Sequence, residues 1–137
     1  PNSMYPLSKI LEKLKQGEVP TGIHPHMNGN FVFRNAVIRF GEVIKETLKA
    51  HNLSASDLDL FIPHQANLRI SQFIQKRMKL SDDQVFNNIQ SKGNTTAASI
   101  PIALSEAWEQ GKLKRGDKVL LAAFGSGFTW GSVIMRW

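Results

Sequence analysis

Hydrophobic patterns typical of helices alternate along the chain with patterns typical of strands, and this alternation constrains the fold more than any other feature. The patterns predict helices over residues 31–50, 65–79 and 95–110 and strands over residues 58–62, 85–89, 118–124 and 128–137. Strands that alternate with helices form a mostly parallel sheet covered by helices. Because only Gly125-Ser126-Gly127 joins the last two strands, they are expected to form an antiparallel hairpin.

The first 25 residues form a lead-in that lacks this alternation. Apolar residues between Leu7 and Leu14 have helical spacing and predict a short amphipathic helix that ends at Gly17. Proline and glycine residues then indicate a loop. The chain length of 137 residues amounts to one domain.

The predicted helix over residues 95–110 is apolar on more than one face. Pro101 falls early in it, where a missing N–H costs least, and Gly111 ends it. A helix that is apolar nearly all round is buried on both sides. In a domain this small, a second domain or subunit must supply the outer layer, so we expect this helix to be central and buried.

The chain has no cysteine, which excludes a disulfide framework, a thiolate metal site and a cysteine nucleophile on this chain. No run of about 18 apolar residues occurs, so no membrane span is expected. The 17 basic and 11 acidic residues give a formal net charge of +6, which favours acidic partners but is also common among soluble domains. No block of like charges and no zinc or RNA-binding signature supports a nucleic-acid partner.

Polar residues follow two of the predicted parallel strands, at the position where open α/β sheets bind their ligands. His64 comes after the strand over residues 58–62, and Asn94 comes after the strand over residues 85–89. We therefore expect His64 and Asn94 at the same edge of the sheet. Each also has a plain structural explanation, since His64 fits a surface or helix-start histidine and Asn94 fits a helix cap.

The other candidate sites are weaker. His24 and His26 are too few ligands for a metal site, and His51 fits a helix end. Gly125-Ser126-Gly127 is similar to part of a nucleophile elbow, but it joins two strands rather than a strand and a helix. A serine hydrolase is therefore not expected, and a tight glycine turn that exposes backbone N–H groups is preferred.

Several segments together resemble the β-ketoacyl-acyl-carrier-protein synthase III family. Residues 59–70, DLFIPHQANLRI, resemble its histidine motif, and residues 93–101, GNTTAASIP, resemble its asparagine motif. Residues 124–132, FGSGFTWGS, resemble its C-terminal glycine turn. The segment Met27-Asn28-Gly29-Asn30, with Phe33, is similar to the loop that opens its second half. The resemblance covers residues 26–137 in order, which implies a lead-in over residues 1–25 and a domain over residues 26–137.

The resemblance implies an α/β fold that is one half of a thiolase-like architecture. Its sheet is mixed, mostly parallel and of the five-stranded type, and it is covered by helices, with a buried central helix and a C-terminal antiparallel hairpin. The family reaction is the decarboxylative condensation of a short acyl-coenzyme A with malonyl-acyl carrier protein, which starts fatty acid synthesis. His64 and Asn94 would be two of three catalytic residues, and the third, a Cys, would lie in a missing N-terminal half. We expect a fragment that is inactive alone.

The resemblance also implies the other site residues. The backbone N–H of Ser126, with that of the missing Cys, would bind the acyl-enzyme oxygen. Arg69, with Lys76 and Arg77, would form a basic rim that receives acyl carrier protein, although Lys76 and Arg77 also fit a solvated helix face. The residues that would line the coenzyme A and pantetheine tunnel are Met27, Gly29, Asn30, Phe33, Ala66, Asn67 and Phe124. Phe33 fits plain core packing equally well.

The implied partners are acyl carrier protein, coenzyme A thioesters and a second copy of the same enzyme in a homodimer, with no metal or other cofactor. The first 22 residues lack the apolar core of a secretory signal, and the implied location is cytoplasmic. Two alternatives stay open. One is a related thiolase-fold acyltransferase of secondary metabolism. The other is a non-catalytic carrier-protein-binding module, which the absence of cysteine supports directly.

Overall fold

A computed structural model of the protein describes residues 7–18 and 27–137. The chain divides into two compact units, Pro1–Val32 and Phe33–Trp137. Helix α1, Leu7–Lys15, confirms the short helix of the lead-in and is followed by a turn at Gly17. The predicted loop that contains His24 and His26 lies outside the described residues.

Helix α2, Gly29–Ala50, confirms the first long helix and begins two residues earlier than predicted. The Asn28 Oδ1 atom accepts from the Phe31 N–H at 3.1 Å, which gives one of the unpaired N–H groups of the first turn a partner. The buried side of α2 recurs at helical spacing through Ala36, Val37, Phe40, Gly41, Ile44 and Leu48.

The sheet consists of strands β1 (Leu60–Pro63), β2 (Lys118–Gly125) and β3 (Thr129–Arg136), in the order β1-β2-β3. Strand β1 pairs in parallel with β2, and β2 pairs antiparallel with β3 to form the predicted hairpin. Every residue of β1 is buried. A strand covered on both faces needs apolar residues at every position, which explains its unbroken apolar run.

The sheet is smaller than the five-stranded type that we expected, since three strands pair within the described residues. The predicted strand over residues 85–89 was wrong: it is reduced to a single parallel bridge between Val85 and Phe61. The chain turns away after Phe86 because the buried Gln65 Oε1 atom accepts from the backbone N–H groups of Asn88 and Ile89, at 3.1 and 3.2 Å. Those N–H groups are thereby unavailable to a strand ladder.

Three further helices complete the domain: α3 (Leu68–Met78), α4 (Ile89–Lys92) and α5 (Ser99–Glu109). A 3-10 turn, Thr96–Ala98, leads into α5, so the helix predicted over residues 95–110 forms in two pieces. The core of the domain joins α5 to the sheet and contains Leu60, Ile62, Phe86, Ala103, Ala107, Leu113 and Val119.

Helix α5 buries one side, through Ser99, Ala103 and Ala107. On its other sides Pro101 is exposed and the Trp108 side chain is 47% exposed, so the outer layer that we expected over this helix stays a prediction. Among the described residues, no helix combines the length and the apolar character needed to cross a membrane.

Candidate functional site

His64 is the first residue after β1, and its backbone N–H donates to the Ala122 carbonyl at 2.7 Å, which carries the β1–β2 pairing one residue further. The side chain is half-buried, and its Nδ1 atom lies 2.5 Å from the Ser99 Oγ atom at the start of α5. The imidazole is therefore held between the end of a strand and the first turn of a helix. This is the strand-end position that the sequence predicts for it.

Burial lowers the pKa of His64 below its usual value of 6.5. At neutral pH the imidazole is therefore uncharged, with one ring nitrogen that donates and one that accepts. An uncharged imidazole can still donate a hydrogen bond to a developing negative charge. Because the ring is uncharged, the protein does not have to bury a positive charge away from water for this purpose.

Gln65, the residue after His64, is buried, and its side chain forms several hydrogen bonds to the backbone of nearby segments. The Gln65 side chain donates to the Pro63 carbonyl at 2.7 Å and accepts from the backbone N–H groups of Asn88 and Ile89. It thus joins the end of β1 to the start of α4. We call residues 64–67 the histidine loop, and Asn67 closes it because its Oδ1 atom accepts from the Arg69 N–H at 2.9 Å and caps α3.

Asn94 lies in the segment that leads into α5, and we call residues 93–96 the asparagine loop. Its side chain is exposed, and its Oδ1 atom accepts from the Thr96 N–H at 2.9 Å. The N-cap residue is Thr95 for the 3-10 turn over Thr96–Ala98 and Ala98 for α5, so Asn94 is not the helix cap that its plain structural explanation predicts. The amide nitrogen Nδ2 stays the donor of this side chain. Thr96 has a φ of 52°, which a β-branched residue rarely adopts.

The segment before the asparagine loop is anchored to α5. Lys92 of α4 pairs with Glu106 of α5 at 2.8 Å, and the Asn88 side chain donates to the same carboxylate at 2.9 Å. The hydrogen bonds from Lys92 and Asn88 lower the pKa of Glu106 below its usual range. Inside the loop, the Thr95 Oγ1 atom is buried and has no hydrogen-bond partner among the described residues.

The glycine turn, residues 125–128, joins β2 to β3. Gly127 has a φ of 145°, and a Cβ at that position would clash with the Thr129 side chain, so the turn requires glycine there. Ser126 is exposed, and its carbonyl accepts from the Thr129 hydroxyl at 3.3 Å. The turn joins two strands, as the sequence predicts, and the role of the Ser126 backbone N–H stays a prediction.

Two of the predicted tunnel residues make ring contacts. Phe124 is buried at the end of β2, with its ring centroid 4.9 Å from that of Phe128. Phe33 is half-buried and packs edge-on against Phe73, which is 43% exposed, with the two ring centroids 6.3 Å apart. Both residues place aromatic surface within the second unit.

The remaining predicted residues lie at the surface. Met27, Gly29 and Asn30 are exposed at and just before the start of α2, and Ala66 is half-buried in the histidine loop. The three predicted rim residues, Arg69, Lys76 and Arg77, are all exposed on α3. The Arg77 guanidinium packs beside Gly41 of α2, so it has a structural contact.

Three residues close to the predicted catalytic pair were not singled out from the sequence: Gln65, Thr95 and Ser99. Ser99 could have been found, because a lone serine shares the four-residue spacing of Ala103 and Ala107 on the buried side of α5. In the described part of the chain, no three His, Cys, Asp or Glu residues cluster as metal ligands would.

A parallel strand followed by a histidine that contacts the start of a helix, together with a C-terminal hairpin, agrees with a domain of the thiolase-like class. Over residues 48–137 the chain matches the family described as 3-Oxoacyl-[acyl-carrier-protein (ACP)] synthase III C terminal. The chain belongs to this family.

Curated relatives named beta-ketoacyl-[acyl-carrier-protein] synthase III agree with this assignment. One from Campylobacter jejuni subsp. jejuni serotype O:6 is 50% identical over 110 residues, which are 80% of this chain and 34% of the relative. One from Histophilus somni is 46% identical over 127 residues, which are 93% of this chain and 40% of the relative. The chain thus spans about a third to two fifths of the length of these relatives.

Solved structures show the same fold. The crystal structure of 3-oxoacyl-[acyl-carrier-protein] synthase III from Aquifex aeolicus superposes with a TM-score of 0.80 at 46% identity, covering 82% of this chain and 36% of that one. The structure of 3-oxoacyl-(acyl carrier protein) synthase III from Pseudomonas aeruginosa gives a TM-score of 0.81 at 40% identity, covering 87% and 38%.

Proposed function

We propose that this chain is the C-terminal part of a β-ketoacyl-acyl-carrier-protein synthase III, an acyltransferase that condenses a short acyl-coenzyme A with malonyl-acyl carrier protein. The observation that carries the proposal is the half-buried His64 directly after β1, in contact with the first residue of the helix that follows the asparagine loop. Family membership supports the same assignment. The chain alone is then inactive, because it has no cysteine to accept the acyl group.

In the first step, a cysteine thiolate of an N-terminal half attacks the acyl thioester, and the coenzyme A thiolate leaves. In the second step, malonyl-acyl carrier protein loses carbon dioxide, and the electron pair of the broken C–C bond forms an enolate with its charge on the thioester oxygen. A donor N–H of His64 and the Nδ2–H of Asn94 would bond that oxygen. One such donor is worth about 10²- to 10³-fold in rate where water is excluded.

The enolate carbon then attacks the acyl-cysteine carbonyl, and the cysteine thiolate leaves with its electron pair. The exposed backbone of Ser126 in the glycine turn would bind the oxyanion that forms at that carbonyl. The pantetheine arm would pass beside Phe33, Phe124 and the histidine-loop residues Ala66 and Asn67. The exposed segment at Met27, Gly29 and Asn30 would line the tunnel entrance.

Acyl carrier protein would dock on the exposed face of α3 at Arg69, with Lys76 and Arg77 beside it. Such surface charges mostly raise the association rate, and salt weakens their effect. The formal net charge of +6 supports an acidic partner. We further propose a homodimer located in the cytoplasm, with acyl-coenzyme A and malonyl-acyl carrier protein as substrates and no cofactor.

The test uses the longest polypeptide that carries this sequence in its source organism, identified by intact mass. It is expected to hold about 170–200 residues before Pro1, as two similar halves require, with a cysteine in that part. His64→Ala and Asn94→Ala should each lower malonyl decarboxylation about 10²- to 10³-fold and leave acylation by acyl-coenzyme A largely unchanged.

The matched controls are His51→Ala and Gln90→Ala, which change an exposed histidine and an exposed amide. Both should keep full rates of acylation and decarboxylation. Equal loss of the two steps in His64→Ala would contradict the enolate role. A natural polypeptide that begins near Met4 would contradict catalysis and leave the carrier-binding module as the better description.

A further inference from the structure

Ser99 is a polar residue in an apolar place. It is 2% exposed at the first position of α5, on the side of the helix that Ala103 and Ala107 also occupy against the sheet. A buried hydroxyl is costly unless its hydrogen bonds are made. Its two contacts in the structure both lead to the histidine loop, so its role must be sought there.

The first contact is with the backbone. The Gln65 N–H donates to the Ser99 Oγ atom at 3.2 Å, so this oxygen acts as an acceptor in a bond whose direction is certain. The second contact is between Oγ and the Nδ1 atom of His64, at 2.5 Å. In that bond either atom could be the donor, depending on the tautomer of the imidazole.

The hydroxyl proton settles the direction of the second bond. A serine hydroxyl carries one proton and two lone pairs, and Gln65 already uses one lone pair. If Nδ1 carried the ring proton and donated, the hydroxyl proton would need a third partner, and the described residues supply none to Ser99. A buried donor left unmade is the costlier arrangement. The hydroxyl therefore donates and Nδ1 accepts.

We propose that Ser99 is a positioning residue that donates to Nδ1 of His64 and so holds the imidazole in the tautomer that carries its proton on Nε2. The Nε2–H is then the donor available to a substrate oxygen. The proposal rests on the proposed function, because that function needs His64 to donate while uncharged. It adds the group that selects which ring nitrogen does so.

The same bond opposes protonation of the ring. A proton on Nδ1 would meet a hydroxyl that is already donating, and the hydroxyl would have to turn and lose its partner. Burial acts in the same direction on the pKa of His64. Ser99 thus keeps the imidazole uncharged and fixes the plane of the ring.

The first experiment needs no substitution near the site. In the full polypeptide with ¹⁵N-labelled histidine, the His64 resonances are assigned by their absence in His64→Ala. The shifts should show a pyridine-type Nδ1 and a protonated Nε2 at neutral pH. A protonated Nδ1 in the unaltered protein would overturn the proposal, whatever the enzyme does.

The second experiment compares Ser99→Ala with Ser99→Thr, which retains the hydroxyl. Ser99→Ala should give a mixture of the two tautomers and lower the decarboxylation rate about tenfold, with acylation and the KM for acyl-coenzyme A unchanged. Ser99→Thr should restore both the spectrum and the rate. Ser105→Ala is the matched control, because Ser105 is an exposed serine of the same helix.

The two proposals fail in different ways. If Ser99→Ala shifts the tautomer but His64→Ala leaves decarboxylation intact, the bond exists and the enolate role of His64 is wrong. If His64→Ala abolishes decarboxylation but Ser99→Ala keeps the Nε2–H spectrum and the full rate, the catalytic role stands and the Ser99 proposal is wrong.

Discussion

The histidine loop and the asparagine loop carry the two donors proposed for one oxygen, yet the protein holds them in opposite ways. In the histidine loop, the side chains of Gln65 and Asn67 make hydrogen bonds that fix the backbone. The Ser99 hydroxyl of α5 makes the hydrogen bond that fixes the imidazole. In the asparagine loop Asn94 is exposed, and Thr95 has a buried hydroxyl without a partner among the described residues.

This difference indicates which groups hold each of the two proposed donors, His64 and Asn94, in position before a substrate binds. The histidine is positioned by groups of this chain, so we expect its geometry to form with the domain. The asparagine loop keeps a backbone conformation that costs free energy at Thr96, and the described residues give the buried Thr95 hydroxyl no hydrogen-bond partner. We expect the rest of the polypeptide to complete the asparagine loop and to have little effect on the histidine loop.

The largest expected effect comes from breaking the histidine loop at its hydrogen-bonding centre. Gln65→Leu removes the acceptor of the Asn88 and Ile89 N–H groups and the donor to the Pro63 and Phe86 carbonyls, so four buried or half-buried backbone groups lose a hydrogen bond. The free energy of unfolding should fall by about 3 to 5 kcal/mol, measured by urea denaturation of the full polypeptide.

The control for that measurement is Gln72→Leu, since Gln72 is an exposed glutamine on α3. It should change stability by less than about 0.5 kcal/mol. A loss below about 1 kcal/mol in Gln65→Leu would mean that the histidine loop is not held as described.

A smaller effect of opposite sign is expected in the asparagine loop. Thr96 has a φ of 52°, so Thr96→Gly relieves a strained conformation and should raise the free energy of unfolding by about 1 kcal/mol. Thermal denaturation of the full polypeptide measures this as a higher Tm. Ser105→Gly, within helix α5, should lower it by a similar amount. Destabilisation by Thr96→Gly would remove the contrast between the loops.

The smallest effect is one of pH, and it acts on one loop only. The pKa of His64 is below 6.5 in the folded protein, so as pH falls below 6.5 the unfolded chain takes up the proton first. The uncharged His64 therefore makes its full contribution to the free energy of unfolding above pH 6.5. This contribution is lost as the pH falls through the pKa that His64 has in the folded protein. Because Asn94 does not titrate, Asn94→Ala should keep this pH dependence and His64→Gln should lose it. Identical pH curves for all three proteins would contradict the burial of His64.

The elements that bury one continuous side were predictable from the sequence. Helix α2 and strand β2 follow from apolar periodicity to within a few residues, because hydrophobic burial sets both the pattern and the structure. The segment after Val85 looked like a strand on the same grounds and was not one. Its backbone N–H groups are bound by the side chain of Gln65, more than 20 residues earlier, and local pattern cannot show such a contact.

The candidate site was predictable in part. The strand-end rule located His64, and the structure places it there. Ser99 was not recognised, because a serine at a helix start has an ordinary explanation in capping and its contact crosses 35 residues of sequence. Which ring nitrogen donates depends on that contact, so the tautomer could not be inferred from the sequence.

Ala103 and Ala107, on the same side of α5 as Ser99, make the position of Ser99 sensitive to substitutions in the apolar core. Ala103 and Ala107 are fully buried one and two turns further along α5, in the core that this helix forms with the sheet. A bulkier residue at either position would act as a spacer under the helix and lift Ser99 away from the imidazole. Apolar substitutions at positions that do not contact a substrate should therefore lower the reaction rate. A search for variants with altered activity should include the core of this protein.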